Sequence, residues 1–333
     1  MSDNKRIAKN TLYLFIRTLL ILGISLYTSR VVLQTLGATD YGIYNVVGGV
    51  VAMLTFLNSA MVQASQRYMC IAEGCNDLNL KNRTFSTSLT IHALISIVVI
   101  LILETGGLWY VNNIMKIPAD RIFAANVIYQ FSIFIFFTRI IVVPYVALIV
   151  SHECFNLYAY ISLTDYVLQL IGVLFLKDFM GDKLILYVLI LLIIASLHLF
   201  FYIIICKVKF KECVYHGIRD WSLFRDMIKY SGWAFLGGFG FVARNQGVNL
   251  VINIFCNPTV NAARGMAYQV STAVQTLVSS FQQAINPQIF KKYAKSEYKE
   301  MISLVHFGSQ ISFIILAIIA IPIIIRSEYI LSL

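Results

Sequence analysis

The sequence predicts an all-α, polytopic transmembrane helical bundle in two pseudo-symmetric lobes, and three observations predict it. Of the 333 residues 59% are hydrophobic and 13% charged, with a mean hydropathy of +0.77, whereas a soluble domain carries about 25% charge. Runs of roughly 20 apolar residues recur down the whole chain, each long enough to cross the hydrocarbon core as a helix. A 220-residue internal repeat relates the start of the chain to its later part. Strands are a poor reading, because period-2 alternation in roughly 10-residue segments is absent.

Nine spans follow in order, at approximately 11–36, 42–72, 85–110, 121–150, 157–177, 184–206, 228–256, 260–290 and 302–326. The first, preceded by basic residues, resembles a signal peptide. The run Thr11 to Leu36 is too long for one and lacks a small-residue cleavage site, so it reads as a retained helix. With the N-terminus in the cytoplasm, inside segments hold fifteen Lys and Arg and outside segments five. That bias sets the orientation. It also accounts for the net charge of +10 as a topology signal and leaves nucleic acid without support as a partner.

The longest segment between spans is the basic stretch 207–227, with Trp221 and Phe224. It reads as a cytoplasmic linker or an interfacial helix on anionic lipid. It divides the chain into a six-helix lobe, 1–206, and an incomplete lobe of about three helices, 228–333. The repeat supports the division. Lys9–Gly74 lies over Lys229–Ala294 without a gap, with Ser59 over Ser279 and Gln63 over Gln283. Each copy has a very short outer turn, Gly37-Ala38-Thr39-Asp40 in one and Asn257-Pro258-Thr259-Val260 in the other. Parallel repeats of this kind occur in secondary transporters. Six helices against three lead to the expectation of a truncated chain.

Charges within spans are expensive and read as functional by default. Arg30 and Arg67 sit near helix ends, where they can snorkel, and Arg17 lies about two turns in. Arg139, Asp165 and Arg244 lie near mid-span. Two readings stand open for them. In one, Arg139 and Asp165, on neighbouring helices joined by a short loop, form a structural ion pair. In the other, the arginines face a water-filled cavity and attract an anion, because guanidinium binds phosphate in a fork, and Asp165 is an ion-coupling carboxylate. Polar stripes point to the same cavity: Asn245, Asn249 and Asn253 on span seven, Gln275, Ser279, Gln282 and Asn286 on span eight, and Thr55, Ser59, Gln63 and Gln66 on span two. Such stripes also serve as interhelical hydrogen bonds; as cavity lining, their amides and hydroxyls suit sugars. Pro144 predicts a kink in span four.

No Ser/His/Asp set, P-loop or metal-binding spacing is present. The six cysteines form no paired motif, and the five histidines are scattered. No cofactor or metal is expected. A membrane polysaccharide polymerase would need extended outer loops with catalytic acids. Here those loops are short, and Asp40, Asp120, Asp178 and Asp182 do not cluster in sequence.

The run Arg30-Val-Val-Leu-Gln-Thr-Leu-Gly-Ala-Thr-Asp-Tyr-Gly-Ile-Tyr-Asn45, followed by Gly48-Gly49 and Asn58-Ser59-Ala60, resembles the first two helices of Wzx-type flippases. These are the O-antigen and polysaccharide exporters of the multidrug/oligosaccharidyl-lipid/polysaccharide superfamily. The resemblance is carried by roughly residues 5–75 and 225–295. It implies translocation of an undecaprenyl-diphosphate-linked oligosaccharide across the bacterial inner membrane, by lobes that alternate between inward- and outward-open V shapes around a cationic cavity. Arg17, Arg139 and Arg244 are the matching candidates. Membrane lipid, the lipid-linked oligosaccharide, a polysaccharide polymerase and glycosyltransferases are the implied partners. A cation-coupled drug exporter of the same superfamily is the rival. It would need acids deep in the first lobe, and Asp165 alone fits.

Overall fold

The computed structural model describes residues 3–52, 55–115, 117–218, 220–255 and 258–326, with side chains excepted at 3–4, 52, 55–57, 59, 241–242, 245–246, 249–250, 253–255, 258–263, 265–266 and 269–270. The expected all-helical bundle is what these residues form, and no strand occurs among them. In chain order the helices are α1 (Asp3–Ala52), α2 (Thr55–Cys75), α3 (Leu78–Ile102), α4 (Leu108–Asn113), α5 (Ile122–Ser151), α6 (Phe155–Leu176), α7 (Lys183–Lys209), α8 (Trp221–Phe255), α9 (Pro258–Ala294) and α10 (Tyr298–Ile325). A π-helical turn, Leu103–Gly107, joins α3 to α4 into one span. By length and apolar composition six described helices qualify as membrane spans; α2, α8 and α9, which carry the polar stripes, do not reach that threshold.

The break between the first two predicted spans is a single residue. Gly37 adopts φ 78°, ψ 168° inside α1, and helix continues on both sides. A side chain is rarely found at that φ, so Gly supplies the bend. Three residues on, Asp40 is buried and accepts a 2.8 Å hydrogen bond from Arg121, which also bonds Asp182 at 2.8 Å. The acids that are distant in sequence thus meet around one guanidinium. We call this end of the bundle the rim. The opposite end, where the N-terminus, the α2–α3, α5–α6 and α9–α10 turns and the α7–α8 segment gather, is the base.

The repeat is visible at the base in detail. The α2–α3 turn has Asn76 at φ 53° and the α9–α10 turn has Ser296 at φ 60°. Asn76 N bonds Glu73 O at 3.1 Å, and Ser296 N bonds Tyr293 O at 3.0 Å. Lys81 N bonds Asp77 O, and Met301 N bonds Glu297 O, each at 3.0 Å. Every residue in the second set is 220 positions after its counterpart. Packing obeys the same symmetry: α1 packs on α9, α8 packs on α2, and α2 packs on α9. Gly74 and Ala294, a symmetry-related pair, touch where the lobes meet. A Cβ on Gly74 would lie 2.9 Å from Ala294 Cβ and 3.0 Å from the Lys291 backbone, so only Gly allows α2 and α9 this approach.

Within the first lobe α5 is the central helix, in contact with α1, α2, α3 and α7 and with Pro144 in its interior. In lipid such packing is held by van der Waals fit and interhelical polar contacts rather than by release of water. The stretch 207–227 is not one element. It ends α7 at Lys209, runs without helix over 210–218, and opens α8 at Trp221. The crossing is strapped to α3: Asn82 Nδ2 donates to Val214 O at 2.8 Å, and Ser86 Oγ accepts from His216 N at 3.1 Å. Polar groups of α3 thus serve as partners for the crossing's backbone.

Candidate functional site

The seam between the lobes is closed at the base. On α1, Ile7, Asn10, Leu14 and Thr18 are buried, a spacing of three or four that presents one helix face. It meets the buried Ser280, Phe281, Ala284, Ile285 and Gln288 of α9. Thr18 and Ser280 hydroxyls lie 3.1 Å apart. Rimward of that pair the buried face is interrupted, and Val274, buried on α9, lines the α9–α10 groove. None of residues 19–30 of α1 is buried, nor is any described side chain of α9 between 258 and 273.

Arg17 stands beside this closure. Its Nε donates to Ser162 Oγ at 2.5 Å, and its guanidinium lies 4.6 Å from the centre of the Tyr158 ring. Ser162 and Tyr158 are one turn apart on α6, so α6 fixes the arginine from α1 at the floor of the cleft. The hydrogen bond takes one of the five N–H groups of the guanidinium.

Arg139 and Asp165 form the ion pair that was one of the two open readings, at 3.0 Å. The pair is asymmetric: Asp165 is 2% exposed and Arg139 40%. Arg139 lines a cavity of about 490 Å³ with Tyr44, Asn45, Ser132, Gln169 and Tyr187. Gly48 and Gly49 widen it. All its walls come from α1, α2, α5, α6 and α7, so it lies inside the first lobe rather than between lobes. On the far side of the pair, Asp165 Oδ1 is buried without a hydrogen bond, as is His198 Nε2. Both residues line one small void between α6 and α7.

Arg244 is exposed on α8. Among the described residues no cavity is lined by two of the three arginines. Of the stripes, Gln275, Ser279, Gln282 and Asn286 are all exposed and form the face of α9 next to its buried one. Gln275 lines a groove between α9 and α10 with Ser271 and Leu316. Gln63 is exposed and Gln66 half-buried on α2. The side chains of Thr55, Ser59, Asn245, Asn249 and Asn253 lie outside the described residues.

Two base networks have no sequence signal, because their paired members are 60 to 147 residues apart. In one, Glu153, at φ 56° in the α5–α6 turn, is 3% exposed and binds Arg6 Nε at 2.8 Å and Lys291 Nζ at 2.9 Å. Gln288 Nε2 donates to it at 3.2 Å. In the other, His152 sits between Glu212, at 2.5 Å, and Glu73, at 3.5 Å, with its ring stacked on Phe210. Burial raises the Glu212 carboxyl, but the hydrogen bond and charge of His152 outweigh it and hold the group below its usual range. Glu73, His152 and Glu212 are close enough to share a metal ion. Lys81 Nζ, 2.7 Å from Glu73, already supplies a cation there, which makes the set an ion-pair network.

A model of the family described as polysaccharide biosynthesis protein matches residues 7–292. The chain belongs to that family. No curated protein matches it. Solved structures with the same fold include a MATE protein in its bent conformation, with TM-score 0.81 and 13% identity over 98% of this chain and 73% of that one. An outward-facing multidrug resistance MATE family transporter of the MOP superfamily gives 0.79 and 12% over 99% and 75%. A MOP superfamily transporter from Pyrococcus furiosus gives 0.78 and 10% over 97% and 73%. At these identities the likeness is one of fold: a multi-pass membrane bundle in the two-lobed MATE arrangement.

Proposed function

We propose that this member of the polysaccharide biosynthesis family is a flippase. It carries an undecaprenyl-diphosphate-linked oligosaccharide from the cytoplasmic to the outer leaflet of a bacterial inner membrane by rocking its lobes about the seam. The base and the N-terminus face the cytoplasm in this reading, in keeping with the basic bias of those segments. The observation that carries it is the seam itself: closed below Thr18 and Ser280, uncovered above, with Arg17 held at the boundary. A guanidinium fixed through Nε presents a fork suited to phosphate oxygens. Arg244, the amide stripes of α2 and α8, and Ser279, Gln282 and Asn286 of α9 are assigned to the diphosphate and the sugars; Gln275, which lines the α9–α10 groove, is set apart from them. The Arg139–Asp165 pair with His198 is assigned to ion coupling, since Asp165 Oδ1 and His198 Nε2 are buried without a hydrogen bond beside the void they share. A polymerase and glycosyltransferases are the expected partners.

The test is leaflet accessibility of a fluorescent undecaprenyl-diphosphate oligosaccharide in proteoliposomes. Arg17→Ala and Arg244→Ala should each lower flipping about tenfold, the effect of one charge-assisted contact. Wild-type flipping by both variants would sink the assignment. A drug exporter has a specific observation in its favour, the buried Asp165 of the first lobe. Its charge is compensated by Arg139, however, which leaves little attraction for a cationic drug.

A further inference from the structure

Glu153 ties the first lobe to the second through a buried carboxylate. Its carboxylate comes from the α5–α6 turn of the first lobe, and it holds Arg6 of α1 and Lys291 of α9 at the same time. Gln288 of α9 completes the set, and the carboxylate is buried among them. The one carboxylate therefore bridges a cation of each lobe at the inner end of the seam. The Gly74–Ala294 contact lies against the Lys291 backbone, so the lobes cannot part there without drawing Lys291 away from Glu153. An ion pair broken in a buried place leaves uncompensated charge, which is strongly unfavourable unless another ion takes its place.

We propose that Arg6 and Lys291 are the first docking site for the diphosphate of the lipid-linked substrate, and that Glu153 is the internal anion that competes for them. This rests on the flippase reading given above and adds a site to it. A diphosphate presents oxygens to both a guanidinium and an ammonium. It replaces Glu153 as the base opens, and Glu153 recovers both cations when the diphosphate moves on toward Arg17. The base then opens only when an anion of the right kind is present, and an empty transporter stays closed. A neutral or cationic compound has no means of displacing the carboxylate, so the latch also selects the substrate class.

The experiment uses the full chain in nanodiscs with undecaprenyl diphosphate as the probe, measuring affinity and the fraction cross-linkable between Thr18→Cys and Ser280→Cys. Wild type should bind the probe and lose cross-linking as it binds. Glu153→Gln should bind about tenfold more tightly, the effect of removing one competing charge, and should cross-link less even without probe. Lys291→Gln should bind several-fold more weakly, and it tests the site independently where Glu153→Gln does not fold. Glu300→Gln, at an exposed base acid paired with Lys292, should change neither readout. If wild type binds the probe but Glu153→Gln or Lys291→Gln leaves its affinity unchanged, the competition is overturned and the flippase reading stands. If neither wild type nor any variant binds it, both fall.

Discussion

The two halves of the inter-lobe seam are built from the same pair of helices and differ in kind. From Ile7 to Thr18, α1 offers α9 a continuous buried face, and the meeting is reinforced by Gly74 against Ala294 and by Glu153 between Arg6 and Lys291. From residue 19 to residue 30 no residue of the same helix is fully buried, and the described α9 side chains between 264 and 273 are exposed or half-buried. Small residues and one carboxylate make the base a surface that closes. The described α9 side chains of the rim half, such as Ser271, Thr272 and Gln275, are polar and exposed. The proposed flippase needs a pair of such surfaces that can trade states.

The comparison breaks most easily at Gly74. Gly74→Leu places a side chain where a Cβ alone would meet Ala294 and the Lys291 backbone at about 3 Å. Overpacking of that sort costs about 1–3 kcal/mol at a rigid contact, so the base should no longer close. Flipping should fall more than about tenfold, and labelling of a cysteine placed at Ala284 should rise. Next in size is the buried pair of the first lobe. Asp165→Asn leaves Arg139 without its partner, and because Arg139 is 40% exposed the loss should be about 1–2 kcal/mol, below the full value for a buried pair. A thermal-melting measurement in detergent should show a drop of a few degrees, and the double variant Arg139→Gln, Asp165→Asn should recover most of it. Smallest is Gln275→Ala. Its side chain lines the α9–α10 groove rather than the seam, so flipping should change less than about twofold, within the usual range for surface substitutions.

Much of this architecture is legible in the sequence, and the rest is hidden for identifiable reasons. Apolar runs give the helices because lipid leaves a chain few other options. The 220-residue offset gives the symmetry and extends further than hydropathy shows, into the hydrogen bonds of the turns at Asn76 and Ser296. The Leu-Gly-x-x-Asp-Tyr-Gly segment stands out in sequence, but its reason is three-dimensional: Gly37 makes the bend, and Asp40 meets Arg121, 81 residues away. The Arg139–Asp165 pair could be anticipated because two short-looped neighbours carried opposite charges at one depth. Sequence gives the depth of a charge in a span and leaves open the direction in which it faces. That is why Arg17, Arg139 and Arg244 were expected around one cavity, whereas the structure turns Arg17 onto Ser162 and Tyr158 of α6 and sets Arg139 in a separate cavity inside the first lobe. Glu153 and His152 gave no signal, since a turn carboxylate and a lone histidine acquire their meaning only from residues far along the chain.

The most direct test of the closed base is a disulfide. Thr18→Cys with Ser280→Cys replaces two hydroxyls 3.1 Å apart, and Leu26→Cys with Thr272→Cys sits two turns rimward on the same helices. In a background without the native cysteines, the first pair should cross-link in high yield under mild oxidant, the second should not, and the cross-linked protein should stop flipping until reductant is added. Efficient cross-linking of the rim pair, or undiminished flipping with the base locked, would contradict a transporter that works by opening and closing this seam.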